Sequence, residues 1–373
     1  DRVRVSVQLV SVRGGASIWA ENFNGPFTEF FAVQDSISQK VVDALAIELT
    51  SDQRKLLSKR YTENHEAYQA YLKGRYFLDR RGNPDAWRKA HEYFQQSIRI
   101  DPNFALAFAG MAEHYISEGP DTHAEAKTAA LKALEIDDSL AEAHATLGLV
   151  KQHDWDWPGA ETEFRRAIEL DPNYAMAHLW YGGCLSLIGR DDEVEAEYLR
   201  ALELDPLSLV INTTVGVRFY GTRQYDKAIE QYRKTLELDP NSLWPRLRMA
   251  QALGTKGQDA EALVEYQKAL ELLGDGGGVN VAEIRLGQFY AFSGQRTMAL
   301  KILNKWKHVT GPNYDIALIY VGLGENDRAF AQLEKVYEKR DSQVLGLRSD
   351  PRLDAFRTDP RYAELMRRLG FES

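Results

Sequence analysis

Arginine and glutamine recur together in this chain, Arg248 with Gln251 and Arg285 with Gln288, each pair one helical turn apart. A guanidinium presents a fork of donors that matches a carboxylate, and a neighbouring amide adds a donor and an acceptor. Repeated on adjacent helices, such pairs could grip a carboxylate or the backbone of an extended peptide. A plainer alternative is that both are surface pairs satisfied by nearby acids. Other reactive groups keep poorer company. His153-Asp154-Trp155-Asp156-Trp157 gathers potential metal ligands, but their spacing fits no metal-site template and Pro158 opens a helix there. His144 and His178 read as packing residues at a seam between helices, with a metal-holding histidine pair as the alternative. Gly276-Gly277-Gly278 has neither the Gly-Lys-Ser/Thr nor the preceding strand of a phosphate loop, and reads as a connecting loop. Asn212-Thr213-Thr214 matches a glycosylation sequon but falls on a helix. Cys184, the single cysteine, allows no intramolecular disulfide and reads as a buried, inert thiol. No nucleophile or carboxylate dyad stands in catalytic company, so neither catalytic residues nor a metal or cofactor is expected.

What must position these residues is a repeat. Ala126, Ala160, Val194, Ala228 and Ala262 follow one another at intervals of 34 residues. The fullest copy runs from Ala141 to Pro172 and holds Leu147-Gly148, Ala160, Phe164 and Ala167. Gly148 and Ala160 are small where two helices would cross, and Phe164, one turn beyond Ala160, would fill the gap below. Pro172 lacks an N–H and ends the second helix near Asp171. The small position recurs as Ala112, Gly182, Gly216, Ala250, Gly287 and Ala317; the large one as Phe94, Tyr198, Tyr232, Tyr266, Leu303 and Leu333, with Ala130 standing out. Asp-Pro closes several copies, at Asp101, Asp171, Asp205 and Asp239. The pattern resembles tetratricopeptide repeats, helix–turn–helix units that bury their apolar faces only by stacking. The fold expected is mainly α: a tetratricopeptide α-solenoid of about eight repeats, preceded by a partial α/β segment.

The first residues follow another rule. Val3, Val5, Val7 and Leu9 alternate with polar residues, Arg13 to Ala16 supply a turn, and Ser17 to Phe23 return, which predicts a hairpin. From Glu29 apolar residues recur at three and four, predicting a helix; Thr50 and Gln53 suit a capping box before Leu56-Leu57. Two strands and a helix are marginal alone. Arg2 to Leu9, Ile18-Trp19-Ala20-Glu21 and Phe31-Ala32-Val33-Gln34-Asp35 resemble the end of the TolB-like α/β domain that precedes such repeats in bacterial signalling proteins. Glu66 to Arg75 and the tail from Asp350-Pro351-Arg352 to Tyr362 resemble that family's entry and closing segments. The expected division is 1–50 as the C-terminal part of a TolB-like domain, 51–66 as a linker helix, 67–341 as the array and 342–373 as capping helices. The resemblance implies a regulatory segment lying behind a winged-helix, nucleotidyl cyclase or kinase domain.

Charge and length narrow the class. A net charge of -9 without a long Lys/Arg run argues against a grip on nucleic acid by this segment. No apolar run nears the roughly 18 residues that span a bilayer. The compartment stays open, periplasmic if a membrane span lies upstream and cytoplasmic otherwise. The expected role is a non-catalytic scaffold that holds a protein or peptide, with a homodimer through the strand edge at residues 2–12 as a further expectation. If first helices line the concave face, the groove includes Leu179, Trp180, Thr213, Thr214, Tyr220, Leu247, Arg248, Gln251, Ile284, Arg285, Gln288 and Phe292. Trp180 is the large apolar anchor among them. The paired Lys and Asn of the family's carboxylate clamp are not reproduced.

Overall fold

In the computed structural model the described residues are 2–11, 16–26, 30–45, 60–79, 84–274, 279–309, 311–340, 343 and 346–371. The expected turn at 13–15, the capping box at Thr50 and Gln53, the Leu56-Leu57 pair and the glycine loop at 276–278 lie outside them. Strands β1 (Arg2–Val10) and β2 (Ser17–Pro26) pair antiparallel, with Val5 opposite Phe23 and Val7 opposite Glu21. Val5, Val7 and Leu9 are half-buried while Arg4, Ser6 and Gln8 are exposed, the alternation a one-sided sheet requires. Helix α1 (Phe30–Ala44) lies against β2, and Lys40 reaches back to Glu21. Among the described residues each strand has a single strand neighbour, so both outer edges are open.

Among the described residues eight helix pairs follow. Repeats 1 and 2 are α2 (His65–Leu78) with α3 (Pro84–Ile100) and α4 (Ala105–Glu118) with α5 (His123–Ile136). Repeats 3 and 4 are α6 (Ala141–His153) with α7 (Trp157–Leu170) and α8 (Ala175–Leu187) with α9 (Asp191–Leu204). Repeats 5 and 6 are α10 (Leu209–Gly221) with α11 (Tyr225–Leu238) and α12 (Leu243–Thr255) with α13 (Asp259–Leu273). Repeats 7 and 8 are α14 (Val281–Phe292) with α15 (Arg296–Trp306) and α16 (Asn313–Gly322) with α17 (Asn326–Glu338). A 3-10 segment (Pro351–Thr358) and α18 (Pro360–Arg368) close the chain. The array opens at His65, where the Asn64 side chain accepts from the Glu66 and Ala67 amides; residues 60–64 are not helical, so the expected linker helix does not extend through them.

Three devices recur and explain the sequence pattern. The first is the helix crossing. A Cβ on Gly148 would come to 2.7 Å from the Phe164 ring, on Gly182 to 2.7 Å from Tyr198 and on Gly216 to 2.4 Å from Tyr232. Gly74 and Gly110 press on Phe94 from the two sides in the same way. The second is the closing aspartate. Asp101, Asp171 and Asp239 each accept the amide two residues on, at 2.9–3.0 Å, which fixes the turn between repeats. The third is a bracket at 34-residue spacing. His144 bonds Glu163 at 2.7 Å and the Asp138 carbonyl at 3.1 Å; His178 bonds Glu197 at 2.6 Å and the Pro172 carbonyl at 3.0 Å. Asn212 and Arg246 repeat it, to Gln231 and Glu265 and to the Pro206 and Pro240 carbonyls. The histidines tie a first helix to its second helix and to the preceding turn.

Because the Gly216 contact has no free volume, Gly216→Val should overpack the crossing against fully buried Tyr232 and cost about 1–3 kcal/mol. Urea unfolding followed by helical circular dichroism reads it; an unchanged midpoint would remove the crossing as the determinant of repeat packing.

Candidate functional site

The Arg/Gln pairs of repeats 6 and 7 meet. Arg248 and Arg285 both donate to one acceptor, Gln251 Oε1, at 3.3 and 3.4 Å. Arg285 lies 3.6 Å from Asp315 and 5.9 Å from the centre of the Trp244 ring, and its buried Nε has no hydrogen-bond partner among the described residues. Arg248 is half-buried and has no carboxylate partner among the described residues. Burial, then the nearby Arg285 charge, lowers its pKa from the ordinary arginine value. Gln288 turns the other way: its Nε2 donates to the Asp315 carboxylate at 2.8 Å and its Oε1 accepts from Arg352 at 2.6 Å.

Arg352 belongs to the C-terminal segment, which does more than cap repeat 8. Its guanidinium grips Asp350 in bidentate fashion, at 3.0 and 2.7 Å, and Tyr314 Oη donates to the same carboxylate at 3.2 Å. Leu347, Leu353, Phe356, Leu365 and Leu369 are buried in the core they share with repeats 7 and 8. From there the segment crosses to the turns between first and second helices of repeats 3, 4 and 5. Trp157 Nε1 donates to the Leu369 carbonyl at 3.1 Å and its ring packs on Phe371. Arg348 donates to the Ser186 and Leu187 carbonyls at 2.8 and 3.0 Å, against Gly189. Arg223 pairs with Asp354 at 2.6 Å. From the end of α17, Arg340 lies over Trp155 and donates to the Asp154 carbonyl at 3.1 Å.

The backbone at those turns marks the same place. Gly189 and Gly257 hold the left-handed conformation that ends a first helix, with φ of 83° and 76°. One repeat to either side of Gly189 the equivalent residues are Trp155 and Arg223, at φ of 62° and 63°. A side chain in that region costs about 1–2 kcal/mol. Both residues contact the clasp formed by Arg340 and the tail, which offsets the strain. The segment His153 to Trp157, whose ligand types suggested metal chemistry, is therefore a docking edge, and among the described residues no three such groups form a metal-holding set. Other tail arginines pair within the C-terminal part of the chain: Arg361 with Asp327 and over Phe330, Arg368 with Glu334 and over Tyr337.

The remaining expected groove residues are scattered. Leu179, Leu247 and Ile284 are core, and Tyr220 is buried with its hydroxyl 3.0 Å from Thr255. Trp180 is half-buried against Tyr174, Phe292 is exposed at the end of α14, and Thr213 and Thr214 line a cleft facing repeat 1. Cys184 is fully buried, and burial pushes its thiol up to about 12. The clasp residues went unread in the sequence. Their signal was a tryptophan and an arginine standing at turn positions that other repeats give to glycine.

Fold and inner face define a helical-repeat solenoid, a class that stacks units to expose an extended surface for other molecules. A family profile described as tetratricopeptide repeat matches residues 219–242. A Rhizobium meliloti (strain 1021) protein named "Putative adenylate cyclase 3" is 28% identical over 157 residues, 40% of this chain and 27% of that protein, so the chain matches about a quarter of its relative's length. The APC/C hetero-tetramer Cut9-Hcn1 is similar in structure with a TM-score of 0.53, at 14% identity, over 82% of this chain and 55% of that one. Pseudomonas aeruginosa pilF is 26% identical with a TM-score of 0.43, over 55% of this chain and 91% of that one. The array is a tetratricopeptide-repeat solenoid, a fold that generally serves as a non-catalytic scaffold for protein or peptide partners. No described helix is long and apolar enough to cross a membrane.

Burial alone would raise the Asp350 pKa, but the Arg352 charge and hydrogen bonds outweigh it and hold the carboxyl below the usual aspartate range. A depressed carboxyl stabilises the fold above the unfolded value of ~3.9, and that stability is lost as the pH falls through the folded value. Arg352→Gln should therefore cost about 3–5 kcal/mol at neutral pH by leaving a buried carboxylate unpaired. Without that charge the carboxyl loses its depressed value, so the acid limb of stability should flatten and the variant's deficit should narrow as the pH falls. Denaturant titrations across pH check both effects; an unchanged limb would mean that Asp350 does not depend on Arg352.

Proposed function

We propose that the chain is the non-catalytic sensory or regulatory segment of a bacterial signalling or transcription-regulatory protein, and that it holds a peptide or protein on its inner face. The observation that carries the reading is the arginine pair. Two guanidinium groups share one neutral amide oxygen at long hydrogen-bond distances, and no carboxylate among the described residues lies within ion-pair distance of Arg248, Asp350 acting on it only from further away. Buried or half-buried arginine is normally paired, so the pair has capacity for a carboxylate brought by another molecule. Gln251 orients that edge and Trp180, Thr213, Thr214 and Phe292 extend the proposed surface, while Gln288, held by Asp315 and Arg352, and buried Tyr220 support it without facing the partner. The N-terminal hairpin and helix support a TolB-like segment ahead of the array, and its open strand edges suit the proposed homodimer.

A second reading has one observation in its favour. The match to a protein named as an adenylate cyclase supports a regulatory tail whose catalytic domain lies elsewhere in the polypeptide.

The test is titration of acidic extended peptides against the wild-type chain, Arg248→Ala and Arg285→Ala. Affinity should fall about tenfold or more in each variant, as loss of a charge-assisted contact implies. A peptide that binds all three equally places the partner surface elsewhere.

A further inference from the structure

The clasp consumes part of the inner face permanently. Leu347, Leu353, Phe356, Leu365 and Leu369 are each at most 2% exposed, so displacing the tail would return five large apolar side chains to water. That opposes displacement of the tail by an incoming peptide. Space for a partner must lie where the tail does not reach.

A cleft bounded by repeats 1, 5 and 6 meets that condition. The curvature of the array brings repeat 1 opposite the start of the first helices of repeats 5 and 6, around a cavity of about 960 Å³. That is at the upper end of the range for a small-ligand pocket and suits a short length of chain. Its floor is apolar and aromatic. Phe77 faces it from repeat 1, with Leu209, Val210 and Leu243 opposite, and exposed large side chains converge there: Tyr76 at 53%, Leu272 at 40% and Trp244 at 36%. Its rim is acidic. Asp79, Asp85, Asp239 and Glu271 stand around it, Asp85 lying 3.6 Å from Arg88 and Asp239 accepting the Asn241 amide, while Lys89, the one cation among the described lining residues, lies over the Phe77 ring. Aromatic side chains beside carboxylates also favour cations held over a ring face.

We infer that this cleft between repeat 1 and repeats 5 and 6 is a docking site for an extended segment of a partner protein that alternates basic and large apolar residues. The apolar residues seat on Trp244, Tyr76 and Leu272, and the Lys or Arg residues face the carboxylate rim. The inference deepens the scaffold reading and rests on it, but it uses none of the groups of the arginine pair except through Trp244, which packs over Arg285. Partner aromatic anchors and rim charges divide the work as in other interfaces: burial holds, and charge steers.

The experiment uses the full chain and two short synthetic peptides of equal length, one alternating Lys or Arg with Leu, the other with Glu in place of each basic residue. Calorimetric titration is run on wild type, Trp244→Ala, Leu272→Ser and Glu271→Lys, each checked for native helicity. The basic peptide should bind wild type, weaken about tenfold in Trp244→Ala and Leu272→Ser, which alter no charge, and lose most of its salt dependence in Glu271→Lys. Binding of the basic peptide unaltered by Trp244→Ala and Leu272→Ser would overturn the cleft and leave the scaffold reading intact. Equal binding of the acidic peptide at this site, or no binding of the basic one, would overturn it as well. The arginine-pair variants decide the scaffold surface separately.

Discussion

The contact between the C-terminal segment and the turns of repeats 3, 4 and 5 holds this molecule in one shape. A repeat array is ordinarily one-dimensional: each unit touches its neighbours, and stability adds along the chain. Here Trp157 bonds Leu369, Arg340 meets Asp154 and Arg223 meets Asp354, so residues far apart in sequence close the curve on itself. Opening that closure would uncover Trp157 and Phe371 and release the Ser186 and Leu187 carbonyls from Arg348. The same segment reaches the neighbourhood of the arginine pair, where Arg352 donates to Gln288.

The closure is reinforced where the backbone is least comfortable. Trp155, Arg223 and Arg340 are the described non-glycine residues with positive φ, and all three touch across the clasp or belong to it. Glycine would relax each turn, yet it could not offer an indole or a guanidinium to the incoming segment. The stack of Arg340 on Trp155 at 5.2 Å and of Trp155 on Tyr337 at 4.9 Å is worth about as much as the strain it offsets. At Gly189 the choice is reversed, because Arg348 lies so close that a Cβ would come within 2.7 Å of it. Side chain or none, each turn is fitted to what lands on it.

Most of the fold could be read from the residues. Period, crossing glycines, large partners such as Phe164 and Tyr232, and closing aspartates are local or nearest-neighbour matters, and nearest-neighbour physics leaves a mark at fixed spacing. Even the bracket at His144 and His178 was visible as a repeat, though the exchange to Asn212 and Arg246 hid its continuation. The site was less legible. Arg248, Gln251, Arg285 and Gln288 do converge, but Gln288 is taken up by Asp315 and Arg352, a pairing that depends on where a segment some sixty residues later folds back. Nor could spacing announce that repeat 1 would face repeats 5 and 6, since that depends on the accumulated rotation of every unit between them. Long-range closure writes no period; it writes exceptions, such as a tryptophan at 155 where glycine serves at 189 and 257.

The central claim is that the tail and the turns of repeats 3 to 5 form one cooperative unit. Hydrogen exchange of the wild-type chain against Phe356→Ala tests it most directly, since that truncation loosens the tail without touching those turns. The account requires protection to fall in the tail and also at 154–157, 186–190 and 221–223. Loss confined to the tail and repeat 8, with those turns exchanging as before, would contradict it.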